Sequence, residues 1–255
     1  MNRYAVLSLA TALLNAAEPS WRTPGACTTP TGTLCRALAY ESSGWANRSW
    51  GFQNIDRYSD KITEAVRSDG AAMLRISHQG FRYYAFPSDS YDRARIILPV
   101  RHQTFDVEHS LKAYREMGGV WFFSEIWTDE ADCGRRATWA GEARRKTGKE
   151  PRVAGIRAVE YVYETLDHRV VQRIAFAPSL GCMATEFDVS ERNSAGLPTS
   201  ERHLRLVSAT VGQPPQELFS IPGDYRLVRS GDSWPYVWMN IFPGDITTTG
   251  FSKPV

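Results

Sequence analysis

"VEYVYETLDHRVVQRIAFAPSLGCMATEF", residues 159–187, decides the fold class. Val159, Tyr161 and Tyr163 alternate with polar or smaller residues, and "TLDH" interrupts the run. Val170, Ile174 and Phe176 then alternate in the return run. Period-two alternation on both sides of a short polar turn predicts an antiparallel hairpin with one buried face. Pro178 lacks a backbone donor, so it ends the strand. Gly181 permits the sharp turn that follows. "MATEFDVSE" and "RHLRLVSATV" then extend the meander by two more strands.

Upstream, "AAMLRISHQGFRYYAF" puts Leu74 and Ile76 on one face, and "RARIILPV" reads as a further strand. "VEHSLKAYREMGG" spaces Val107, Leu111 and Tyr114 as a helix would, with Gly118 as its C-cap. A second short helix is predicted at Leu34–Tyr40. "QPPQELFSIPGDYRLV" reads as a turn, a helical turn and a last extended piece. The aromatic tail "SWPYVWMNIF" reads as a covering strand or a surface anchor. The fold class is therefore α+β, mainly β, built on an antiparallel sheet.

The chain has 255 residues, enough for a sizeable core. Its 42% apolar and 23% charged residues are ordinary for a globular protein, and its net charge of +2 gives no basic stripe for nucleic acid. The basic residues of 128–152 interleave with Glu142 and Glu150 and read as a solvated loop. Residues 1–17 combine Arg3, an uncharged apolar run and small residues at Ala16 and Ala17. That is the pattern of an export signal, so the chain is expected to be periplasmic or secreted. No segment offers the ~18 apolar residues of a transmembrane helix, although peripheral envelope association fits an exported chain. Residues 18–57 read as an irregular lead-in and 58–255 as one folded domain.

In an oxidising compartment, four cysteines read as two disulfides. Cys27 and Cys35 close a short loop. Cys182, at the turn after Pro178, is matched with Cys133 in the long polar loop. On the chain-entropy model the two links contribute about 2.5 and about 4 kcal/mol. The cysteine and histidine spacings do not form a zinc pattern, so no metal is expected. None of His78, His102, His109, His168 and His203 lies in a catalytic motif, and "APSLGC" is not a nucleophile elbow around Ser179. No catalytic residue and no cofactor is predicted.

"RSDGAAMLRI", "RARIILP", "DCGRR", "VAGIRAVEYVYE", "RIAFAPSLGCMATEF" and "GQPPQELFSIPGDYRLV" together resemble the superfamily of the lipoprotein carrier LolA and the lipoprotein-sensing domain of RseB. The resemblance spans about residues 58–230. It implies a curved antiparallel sheet, a half-barrel, with a few helices packed in its concave face. It also implies an apolar or amphipathic ligand in that hollow, such as an acyl chain or a lipoprotein. Alternation assigns Tyr161, Tyr163, Ile174 and Phe176 to the ligand side, with Val159 beside them. Trp121, Phe122, Phe123 and Trp127 are further candidates for a pocket lining. Two other classes remain open. One is a cofactor-independent enzyme, which a convergent set of histidine and carboxylate side chains in the hollow favours. The other is an envelope interaction or sensing module.

Overall fold

The computed structural model describes residues 26–30, 33–49, 53–82, 90–117 and 142–229. The export signal, Cys133, the four aromatics between Trp121 and Trp127, and the aromatic tail lie outside the described residues.

The described chain is mainly β and forms one large curved open sheet. Its strands are β1 (Arg36–Ser49), β2 (Gln53–Val66), β3 (Ala72–Arg82), β4 (Ser90–Leu98), β5 (Gln103–Glu108), β6 (Ala113–Met117), β7 (Glu142–Lys146), β8 (Arg152–Val153), β9 (Ile156–Arg157), β10 (Val159–Thr165), β11 (Val170–Ala177), β12 (Met183–Arg192), β13 (Pro198–Val211) and β14 (Arg226–Leu227). The order across the sheet is β14-β6-β5-β4-β3-β2-β1-β13-β12-β11-β10-β7, with β8 and β9 as a separate small hairpin. Two meanders, β1–β6 and β10–β13, are joined where β1 pairs antiparallel with β13. Among the described strands, only β14 runs parallel to its neighbour, β6.

The predicted hairpin is present. Val159 opposes Phe176, Tyr161 opposes Ile174, and Tyr163 opposes Gln172. In its turn, the Thr165 hydroxyl, the Arg169 guanidinium and the Arg169 amide hold the Asp167 carboxyl down at about 2. The chain leaves β11 through a 3-10 turn at Pro178–Leu180, then takes two left-handed residues, Gly181 (φ 68°) and Cys182 (φ 62°). Thr185 is the extra residue of a bulge between β11 and β12, and its hydroxyl donates to Ala175 O at 3.0 Å.

Four expectations are corrected. The segment assigned to a helix at 107–118 is β5, a turn at 109–112 and β6. Val107 and Tyr114 are seven residues apart, a spacing that also suits a hairpin, and they face each other across the two strands. Leu111, the middle of the supposed apolar stripe, lies in the turn at 45% exposure. Leu34–Tyr40 is likewise no helix: the chain joins β1 at Arg36, and Leu38 and Tyr40 point alternately with Ala37 and Ala39. The 18–57 lead-in is irregular only in part, because β1 is the central strand and β2 starts at Gln53. Polar residues such as Ser42, Ser43 and Asn47 mask a strand that pairs on both edges. Similarly, Glu142–Lys146 in the predicted polar loop forms β7 against β10. Among the described residues there is no α-helix, and no helix is long and apolar enough to cross a membrane.

The sheet buries both faces. One, here the core face, carries Leu38, Tyr40, Ile62, Leu74, Ile76, Tyr161, Tyr163, Ile174, Phe176, Phe187 and Leu206 in one cluster. The opposite face carries Ala65, Met73, Ala94, Ile96 and Val107, covered by Phe219 from the C-terminal segment. That segment is strapped down by Arg67 over the Phe219 ring at 5.0 Å, a His109–Tyr225 hydrogen bond at 2.8 Å and an exposed Lys112–Asp224 ion pair.

Cys27 and Cys35 form the predicted disulfide, with Cα atoms 5.3 Å apart. Backbone bonds from Cys35 N to Cys27 O and from Thr29 N to Thr33 O brace the same loop. Replacing both cysteines with serine should lower the unfolding free energy by about 2.5 kcal/mol, read from urea denaturation of oxidised protein. A change near zero would mean that the ladder bonds hold the loop unaided.

Candidate functional site

The core face changes character from one side to the other. Cross-strand pairing draws a continuous row over it: Tyr161, Ile174, Phe187, Leu204, Ser42, Asp60, His78, Tyr91. The first four are apolar or aromatic and buried. From β1 onward the row turns polar. Opposed residues on antiparallel strands share a face, so the register alone brings these side chains into line.

At the polar end, His78 Nδ1 donates to Asp60 Oδ1 at 2.5 Å. A carboxylate only accepts, so this bond puts the ring proton on Nδ1 and leaves Nε2 as an acceptor in the neutral ring. The His78 ring is stacked on Tyr91, with centroids 4.6 Å apart, and more loosely on Tyr58 at 6.1 Å. The Asp60 side chain is 8% exposed and that of His78 is 18% exposed. Ser42, also buried, hydrogen-bonds the Tyr58 hydroxyl, whose pKa is raised by burial against the opposing pull of Arg202.

Gly44 makes room for this arrangement. It opposes Tyr58, and a Cβ there would meet Glu201 O at 2.5 Å and the Tyr58 hydroxyl at 2.6 Å. The first contact is backbone and cannot move aside cheaply. Gly44→Ala should therefore cost about 1–3 kcal/mol and displace the Tyr58 ring from the stack. Chemical denaturation and the His78 ring resonances would record both effects. An unchanged His78 spectrum would refute the second.

Beyond Ile76 the face is ionic. Arg93 Nε donates to Glu108 Oε2 at 2.6 Å, with side chains 4% and 0% exposed. Arg95 and Arg115 converge on the fully buried Asp106 at 2.7 and 3.2 Å. Arg36, nearly buried, pairs with Glu64 at 2.8 Å. On the apolar side, Gln172 Oε1 is buried without a hydrogen-bond partner among the described residues. Gln172 neighbours Tyr163 and Val189 in the adjacent cross-strand row. An unsatisfied buried acceptor costs about 1–3 kcal/mol, so its presence asks for a donor.

The four predicted ligand-side residues are brought together. Tyr161, Tyr163, Ile174 and Phe176 share the core face at 0–5% exposure, packed in the main cluster, with Val159 at its margin. Cys182 is disulfide-bonded, which removes it as a nucleophile. Its expected partner, Cys133, lies outside the described residues. Sequence reasoning passed over Asp60, His78 and Gln172. The signal available was period two: His78 alternates in phase with Leu74 and Ile76, which puts a histidine on the buried face. Asp60 opposite it follows only from register. Among the described residues, no cluster of histidine, cysteine or carboxylate side chains has the makings of a metal site. No family model matches the chain, and no curated protein matches it.

Proposed function

We propose that this is an exported, carrier-like protein that binds an amphipathic ligand across the core face of its sheet. The ligand's apolar part lies along Tyr161, Ile174, Phe187 and Leu204. Its polar group meets Ser42, Asp60 and His78 at the other end of the row. The continuous apolar-to-polar row carries the reading. A face that served only as core would gain little from holding so many buried charges, because the desolvation of ion pairs offsets most of their attraction. Apolar contact contributes about 25 cal/mol per Å², so an acyl chain supplies affinity while the polar end selects the head group. The Cys133–Cys182 link belongs to the same proposal, as a staple closing the polar loop onto the turn after β11.

The test is titration with a fluorescent acylglycerol, a chain with a neutral hydroxyl head. Wild type should bind, and His78→Phe should weaken binding about tenfold while an alkyl probe without a head group is unaffected. Folded wild type that binds neither probe would end the proposal.

The His78–Asp60 pair favours a second reading, a cofactor-independent enzyme. A histidine oriented by a carboxylate can take a proton from water attacking an ester, and such general-base assistance contributes about 10²–10⁴ in rate. Turnover of p-nitrophenyl acyl esters, abolished in His78→Asn, would support it. Turnover no faster than in buffer would dismiss it.

A further inference from the structure

We infer that a second ligand site, independent of the core face, lies on the opposite face and takes a small anionic amphiphile of the medium-chain carboxylate type. A cleft of about 480 Å³ opens between the turn after β2, the 3-10 turn Pro99–Arg101 and the C-terminal strap at Gln216–Ile221. That volume is within the ~300–1,000 Å³ of small-molecule sites. Its walls include Leu98, Phe105, Phe219 and Ile221, which pack on the apolar cluster of that face. Val100 is 75% exposed on one wall, an apolar side chain left in water.

Among the described residues, the charges of the cleft leave one cation uncommitted. Arg67 and Asp69 both line it, but they neutralise each other through hydrogen bonds of 2.9 and 2.5 Å. Arg67 holds the Asp69 carboxyl below its usual range. The Arg67 guanidinium also lies on the Phe219 ring, so it serves as wall. Arg101 is exposed and makes no ion pair among the described residues. It sits on a turn fixed by Pro99 and by the bond from His102 N to Pro99 O at 3.0 Å. An apolar floor beside one free guanidinium suits a ligand with one anionic head and a short tail. A cation of the same tail would meet Arg101 as a like charge.

The experiment titrates the full chain with octanoate, octylammonium and octanol, using amide chemical shifts and calorimetry. Octanoate should perturb Phe105, Phe219 and Ile221 and bind about fivefold to tenfold tighter than octylammonium. Arg101→Glu, a surface change that leaves the fold intact, should reverse that preference. Equal binding of octanoate and octylammonium by wild type would overturn the inference, as would an unchanged octanoate affinity in Arg101→Glu. Perturbations confined to His78 and Gln172 would also overturn it, while supporting the core-face site.

Discussion

Replacing Asp106 with Asn should lower the unfolding free energy by about 3–5 kcal/mol, the largest effect expected of any single polar change in this protein. Asp106 is fully buried and is the shared acceptor of Arg95, through two hydrogen bonds, and of Arg115, through one. Asparagine keeps the shape and removes the charge. Two guanidiniums whose side chains are 15% and 27% exposed then lose the charge of this shared acceptor. The attraction in the native network is largely offset by desolvation, so the loss on breaking it comes from taking the carboxylate's charge away from two cations that stay partly desolvated. Removing all three charges in Arg95→Met/Asp106→Leu/Arg115→Met should therefore recover much of the stability. Urea denaturation of the single and triple variants tests the pair of statements. A cost below about 1 kcal/mol for Asp106→Asn would place the network in the class of screened surface pairs.

Ile174→Ala should cost about 2–5 kcal/mol. Ile174 is fully buried in the central cluster, with Tyr161 and Phe187 opposite it on either side. Deleting its outer carbons removes transfer free energy and leaves a cavity that the flanking strands, held by ladder bonds, close only in part. The same substitution distinguishes two roles for the residues that alternation assigned to the ligand side. Core loses stability whether or not ligand is present. A core residue that the ligand also contacts loses affinity for the probe in addition to stability. Denaturation midpoints with and without the acylglycerol probe separate the two.

The strand pattern from Val159 to Val211 was legible because each strand there has one buried apolar face, and period two survives in the side chains. The same rule failed at β1 and at β5–β6. In β1, Ser42, Ser43 and Gly44 interrupt the apolar alternation, and Gly44 is there for the Tyr58 ring rather than for a turn. In β5, Asp106 and Glu108 occupy buried positions that apolar residues would normally hold. They are tolerated because Arg95 and Arg93 lie opposite them on β4. A charge in a buried phase reads as exposed until its partner is known, and the partner is on another strand.

The candidate site has the same division. Sequence by itself determined that Tyr161, Tyr163, Ile174 and Phe176 share a face, since adjacent alternating runs joined by a short turn leave one register. It also determined the Cys27–Cys35 staple, because the two thiols are too close in the chain to part far. The pairing of Asp60 with His78, the line from Leu204 through Ser42 to that pair, and the cleft under Phe219 were decided only by the tertiary structure. Asp60 and His78 meet through the register of the β2–β3 pair, while the other two depend on β1 closing against β13 and on the strap crossing β3 and β4. Those contacts join segments more than a hundred residues apart, and no local periodicity encodes which distant strand supplies the partner.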